Sequence, residues 1–138
     1  MKNGDIITLM QGGIMAATSH SLPVEHWYKW HKFRREVDKA WQEIGKEQGA
    51  ILDECGIDRS EVGDVSKIDP EKVARWNALN GELLARDAEV KLPARIPLEF
   101  YKGLYDENQS DGHDIFANGA VEAIVIDNLF IEEENKDE

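Results

Sequence analysis

Between Pro23 and Cys55 the chain runs without a further proline, and apolar residues return at every seventh position, with Trp30, Val37, Ile44 and Ile51 forming one row. Recurrence at that period marks a long amphipathic helix with a single packing seam. Trp27, Trp41 and Cys55 occupy a neighbouring row interrupted by Arg34 and Gln48, and Phe33 and Ala40 flank the first row on its other side. At 1.5 Å per residue such a helix extends roughly 45–50 Å, longer than a globule of this size needs. Gly56 stands where a left-handed stop is wanted, with Ile57 placed to fold back onto the last turn.

A second helix announces itself at Asp69-Pro70-Glu71-Lys72, with a capping aspartate, proline at the first helical position and an acid in the first turn. Val73, Trp76, Leu79, Leu83 and Leu84 mark its apolar face, which runs to about Asp87. Joined by a polar loop over Asp58–Lys67, the two seams are expected to bury one another in a long antiparallel hairpin. Ahead of the hairpin, Asn3 to about Ser19 predicts an N-terminal helix with Asn3 as its cap and Ile6, Leu9, Met10, Ile14 and Ala17 on one face. Gly12-Gly13 in its middle costs about 1 kcal/mol per residue relative to Ala. The pair reads equally as a close approach, a hinge or a weakness that tertiary packing tolerates.

After Ala88 the pattern changes. Glu89-Val90-Lys91-Leu92 alternates, and Pro93 and Pro97 confine the stretch to extended or edge-strand geometry. Leu98, Phe100, Tyr101, Leu104 and Tyr105 suit a short helix or turn packed on the hairpin, and Asp106–Asp114 reads as a loop. Ala120 to Ile131 carries both strand composition and helical spacing; helix is the preferred reading. The expected organisation is a mainly α single domain over residues 1–131, followed by an acidic disordered tail over 132–138.

Charge narrows the functional classes. The 138 residues hold 16 Lys and Arg against 28 Asp and Glu, a net −12, which opposes general attraction to phosphate backbones and anionic lipid. Direct nucleic-acid or membrane binding is therefore not expected, whereas a basic protein partner is favoured. A single cysteine, Cys55, leaves no internal disulfide, which points to a reducing compartment. Neither a signal-peptide apolar region nor a membrane span is legible.

His20, His26 and His31 cluster near the start of the long helix, but His26 and His31 are five residues apart and diverge by about 140° on a helix, so zinc ligation is not expected. The acidic loop around Asp106 fails as a calcium loop, because the first frame puts Asp111 at the sixth position and Ala117 at the twelfth. Cys55 lacks a local activating partner and reads as a small buried hydrophobe. No phosphate-cradling glycine pattern is present, no catalytic residues emerge and no cofactor is expected. The most unusual segment is His26-Trp27-Tyr28-Lys29-Trp30-His31-Lys32-Phe33-Arg34-Arg35, basic and aromatic within an acidic chain. Its preferred reading buries Trp27, Trp30 and Phe33 and exposes Tyr28 and Lys29; a protein interface comes second and nucleic-acid contact third.

The order of several short elements also carries a resemblance. Gly4-Asp5-Ile6-Ile7, Leu22-Pro23 with Tyr28-Lys29, and Ile51-Leu52 with Gly56 form its first half. Ile68-Asp69-Pro70-Glu71, Glu82-Leu83-Leu84, Glu89-Val90-Lys91-Leu92 and Ile96-Pro97-Leu98 form its second. Over roughly residues 4 to 98 the chain resembles a family of small, acidic, uncharacterised proteins encoded by tailed bacteriophages and prophages. That resemblance implies a phage or prophage product connected with virion assembly or structure, resident in the bacterial host cytoplasm or the virion. It supplies no catalytic residues.

Taken together, the expectation is a non-enzymatic protein acting through protein–protein contacts. A long helix overhanging a shorter partner leaves apolar seam to be covered by self-association or by a phage assembly partner. Trp27, Trp30, Val37, Trp41 and Ile44 are the candidate interface residues. The alternative is an acidic inhibitor or regulator occupying the basic groove of a host nucleic-acid enzyme.

Overall fold

The computed structural model describes residues 1–109 and 114–132. Helix α1 spans Asn3–Gln11, α2 Val24–Cys55, α3 Pro70–Ala85, α4 Tyr101–Glu107 and α5 Gly119–Leu129. Two-residue strands, β1 (Ile96–Pro97) and β2 (Phe130–Ile131), pair in parallel with Ile96 opposite Phe130. The fold is mainly α, as the apolar spacing requires. All but Glu132 of the acidic tail expected over 132–138, and the centre of the loop expected over Asp106–Asp114, lie outside the described residues; Asp106 and Glu107, expected to open that loop, instead end α4.

Helix α2 forms as its seven-residue recurrence demands and stops where expected. Gly56 takes φ +69°, the Gly56 N–H donates to Asp53 O (3.1 Å) and the Ile57 N–H to Leu52 O (3.0 Å), and Ile57 is buried against the end it closes. Its buried stripe runs through Trp30, Phe33, Val37, Ala40 and Ile44. The row of Trp27, Trp41 and Cys55 is not part of that stripe apart from Cys55, since Trp27 is 42% and Trp41 36% exposed. Arg34, which interrupts that row, binds backbone instead: its Nη1 donates to Met15 O (3.0 Å) and Ala17 O (2.9 Å). The core closes over the opposite flank, where Phe33 and Ala40 lie.

The hairpin is antiparallel but only part of it behaves as expected. Asp69 caps α3 by accepting from Glu71 N–H (3.0 Å), with Pro70 at the first helical position, and the helix ends at Ala85. Lys72 Nζ to Gly56 O (3.1 Å), Arg75 to Glu54 (3.0 Å), Gln48 to Asn80 (3.0 Å) and Arg86 to Glu47 (3.4 Å) fix the pairing along α3. The seams do not bury one another along their length, because Leu83 is the one fully covered apolar residue of α3. Trp30 to Ile44 share one core instead with Ile6 and Leu9 of α1, Leu104 of α4, Phe116, and Val121, Val125 and Leu129 of α5. The overhanging seam is thus covered within the chain.

The predicted helix to Ser19 breaks at Gly12-Gly13. A Cβ on Gly12 would lie 2.4 Å from Val121 Cγ2, and Gly13 takes φ +85°, so the pair is both a close approach of α1 to α5 and a turn. A 3₁₀ turn follows over Ile14–Ala16. Asn3 is the first helical residue rather than the cap; its side chain donates to Leu83 O (2.9 Å). Asp5 instead accepts from Lys2 N–H (2.8 Å). The chain start is stitched to the end of α3 by Asn3 N–H to Arg86 O, Ala88 N–H to Met1 O, and a Lys2–Asp87 ion pair at 2.8 Å.

Residues 120–131 resolve their double signal by using both states: helix α5 through Leu129, then β2. Asn118 caps α5 by accepting from Ala120 N–H (3.0 Å), and Val121, Val125 and Leu129 face the core. Tyr101 packs edge-on to Phe116 and Phe130 and donates to the Glu122 carboxylate. Burial first, then that hydrogen bond, pushes the Tyr101 phenol far above its ordinary pKa, so it stays a neutral donor.

Candidate functional site

The five residues singled out from sequence divide into two sets. Trp30, Val37 and Ile44 lie in the core, with Trp30 and Val37 wholly enclosed, and offer no surface to a partner. Trp27 and Trp41 are on the surface. Trp27 packs against His31, the two rings tilted by 57° at a centroid distance of 4.1 Å. Tyr28, as expected, points outward at 58% exposure.

The histidines do not converge. His20 is exposed, His26 is buried and tilted against Phe100 at 4.8 Å, and His31 sits beside Trp27 and Arg34. Desolvation, then the Arg34 and Arg35 charges, holds the His31 pKa below its ordinary value, so this ring is neutral at neutral pH. Among the described residues no group of three or more His, Cys, Asp or Glu side chains is placed to hold a metal ion. Cys55 is buried, as its place at the end of an apolar row implies.

One polar cluster was not legible from sequence. The Glu107 carboxylate, at the end of α4, accepts from Thr18 Oγ1 (2.8 Å), His20 N–H (2.9 Å), Ser21 N–H (2.8 Å) and Ser21 Oγ (2.6 Å). Adjacent Asn108 accepts from Thr18 N–H (2.8 Å) and donates to Thr18 O (2.9 Å). Burial raises the Glu107 pKa, but the hydrogen bonds from Ser21, Thr18 and His20 outweigh it and hold the carboxyl below the usual range. These bonds saturate the carboxylate and strap the loop before α2 onto α4, so the cluster is a structural clamp.

Two concavities open to solvent: a polar one of about 520 Å³ between α2 and the 86–91 segment, and an apolar groove of about 540 Å³ where α2, the 57–68 loop and the start of α3 diverge. Its floor is α2 at Gly45, Gly49 and Leu52, and its walls are Ile57, Val62, Val65, Ile68, Val73 and Trp76. The two glycines lie four apart and so share one side of the helix. A Cβ on Gly45 would meet nothing within 4 Å, whereas one on Gly49 would lie 2.7 Å from Arg59 Nη2, so the guanidinium lies across Gly49 and bounds the groove. Val62 and Val65 are 47% and 57% exposed. These exposed aliphatic side chains stand around a concave surface.

The rim has a sign. Residues 45–81 carry eight carboxylates against five cations. Four of those cations face acids, in pairs Lys46–Glu43 (3.2 Å), Arg59–Asp53 (3.7 Å), Lys67–Asp64 (3.9 Å) and Arg75–Glu54 (3.0 Å), and Lys72 is turned onto Gly56 O. The charged residue that lines the groove is Arg59, so the surface joins an apolar interior to a guanidinium paired with Asp53. Sequence reasoning missed it because Val62 and Val65 sit singly in a polar loop. The available signal was the Gly45/Gly49 pair inside a long helix, with Leu52 on the same flank. No protein-family model, no curated protein and no solved structure matches this chain.

Proposed function

We propose that this protein works by binding other proteins, as a non-enzymatic phage or prophage product serving as a minor virion component or assembly factor. The observation that carries the protein-binding reading is the open groove walled by Val62, Val65, Val73 and Trp76. Covering such a surface with a partner's apolar side chains removes it from water at a gain of about 25 cal/mol per Å². The phage setting rests on the ordered elements between Gly4 and Leu98 that resemble the phage and prophage family.

The test is affinity capture from cells carrying an induced phage, comparing the wild-type chain with Gly45→Lys, which fills the groove from an open position. Phage-encoded proteins retained by the wild type and lost by the variant support the reading. Identical captured sets contradict it. The second reading, an acidic inhibitor of a host nucleic-acid enzyme, draws on the net −12 charge. It requires capture of such an enzyme and its release by raised ionic strength, whereas an apolar contact persists in salt.

A further inference from the structure

The apolar groove constrains the backbone of whatever enters it. Its lining belongs to α2, α3 and the loop between them, which carries 3₁₀ turns over Arg59–Glu61 and Val65–Lys67, so among the described residues no strand edge borders it. The backbone of the floor is engaged within α2, and Leu52 O, in the last turn, accepts from Ile57 N–H (3.0 Å). Apart from the Trp76 indole, the polar side chains of the lining are Gln48, Arg59 and Asn77, and Gln48 already donates to Asn80 Oδ1 (3.0 Å). An extended segment pressed into this surface would bury backbone N–H and C=O groups with almost nothing to bond, which opposes binding. A helix satisfies its own backbone and presents side chains alone. The floor from Gly45 to Leu52 covers seven residues of α2, about 10 Å, which is the span of anchors at i, i+3 or i+4 and i+7 on a second helix.

Charge fixes one residue of that helix. Arg59 is the single charged residue of the lining, and its guanidinium lies across Gly49, between Gly45 and Leu52 on the floor. Its pair with Asp53 is 3.7 Å long, beyond hydrogen-bond distance, between side chains 67% and 71% exposed. Exposed pairs of this kind contribute little, so the guanidinium is readily taken over by a better acceptor. Covering the groove strips water from Arg59, and a cation left there without an acceptor opposes the covering. A carboxylate on the occupant removes that penalty, because it accepts two parallel N–H bonds from the planar guanidinium. One turn away, a Cβ on Gly45 would have no atom within 4 Å, which leaves room for a bulky anchor beside the pair. We propose that the groove takes an amphipathic helix of a partner protein, with apolar anchors at i, i+3 or i+4 and i+7 and an Asp or Glu beside them that pairs with Arg59. The inference rests on the protein-binding reading above and names what the partner presents.

The probe is a displayed library of short helical peptides with Leu fixed at i, i+4 and i+7 and every other position random, selected on the full wild-type chain and, separately, on Arg59→Glu. Arg59 is exposed, and thermal melting by circular dichroism establishes that Arg59→Glu, Arg59→Gln and Gly45→Lys fold. Wild type is expected to enrich Asp or Glu at one position of the register, and Arg59→Glu to enrich Lys or Arg at that same position. For the leading wild-type peptide, replacing its acid by the matching amide should weaken binding about tenfold or more in fluorescence anisotropy. The same replacement should leave the affinity for Arg59→Gln nearly unchanged, and Gly45→Lys should abolish binding of the peptide. Four outcomes overturn the proposal: no helix enriched on wild type, enrichment without an acidic position, the same acid selected by Arg59→Glu, or a selected peptide indifferent to Gly45→Lys. If one of these occurs while Gly45→Lys still loses captured proteins, the groove serves a partner of other chemistry and only the helix assignment falls. If capture is also unchanged, the protein-binding reading falls with it.

Discussion

Gly12→Ala separates a packing requirement from a helical preference, because the two have opposite signs. Gly12 has φ −78° and ψ −1°, a right-handed conformation that alanine adopts freely. On helix preference alone the change stabilises by about 0.5–1 kcal/mol. In the structure the new Cβ would lie 2.4 Å from Val121 Cγ2 and 3.1 Å from Thr8 O, and Val121 is wholly buried on α5. Val121 cannot swing into solvent, so α1 and α5 must separate. Overpacking of this kind costs about 1–3 kcal/mol. The expected net is a loss of about 1–2 kcal/mol, and a melting temperature lower by roughly 4–10 °C for a chain of this length. Urea unfolding followed by far-ultraviolet circular dichroism gives the first number directly. Val121→Ala removes the methyl that is struck; in that background Gly12→Ala should be neutral or stabilising, a coupling of at least about 1 kcal/mol. A stabilising Gly12→Ala in the wild-type background, or a penalty unchanged by Val121→Ala, refutes the close approach.

Three further outcomes follow from particular contacts. Val37→Asp places a carboxylate without a partner in the fully enclosed stripe of α2 and should cost about 3–5 kcal/mol, read as loss of the cooperative urea transition or a large fall in its midpoint. Gly45→Ala should raise the urea midpoint by an amount corresponding to about 0.5–1 kcal/mol, since nothing opposes its Cβ, while Gly49→Ala should gain less because Arg59 must move aside. Glu107→Gln should cost about 1 kcal/mol at neutral pH through weakened hydrogen bonds to the 18–21 loop. Because the folded Glu107 pKa is depressed, its contribution is complete above glutamate's ordinary value near 4.3 and disappears as pH falls through the lower folded value. Wild-type stability should therefore decline more steeply below about pH 4.3 than that of Glu107→Gln.

Local rules made the two hairpin helices legible. The seven-residue return of Trp30, Val37 and Ile44 and the Asp69-Pro70 start are short-range signals, and the structure honours both. Which flank of α2 is covered was not legible. Phe33 and Ala40 on one side compete with Trp27 and Trp41 on the other, and the choice is made by α1 and α5, far away in sequence. Gly12-Gly13 shows the same limit: the pair is visible, but its partner Val121 is more than a hundred residues distant. The Glu107 clamp and the pairing of Ile96 with Phe130 are likewise long-range. Of the interface candidates, burial removes Trp30, Val37 and Ile44. The groove escaped notice because its walls come singly from a loop and two helices.

On the proposed function, the groove floored by Gly45 and walled by Val62, Val65 and Trp76 is where this protein meets other chains. A photo-cross-linking amino acid in place of Gly45, compared with one in place of Ala78, tests it in living cells. Gly45 lines the groove, and Ala78 is exposed on α3 outside it. Covalent protein adducts at position 45 with none at position 78 are the expected result; equal labelling at both, or none at 45, contradicts the account.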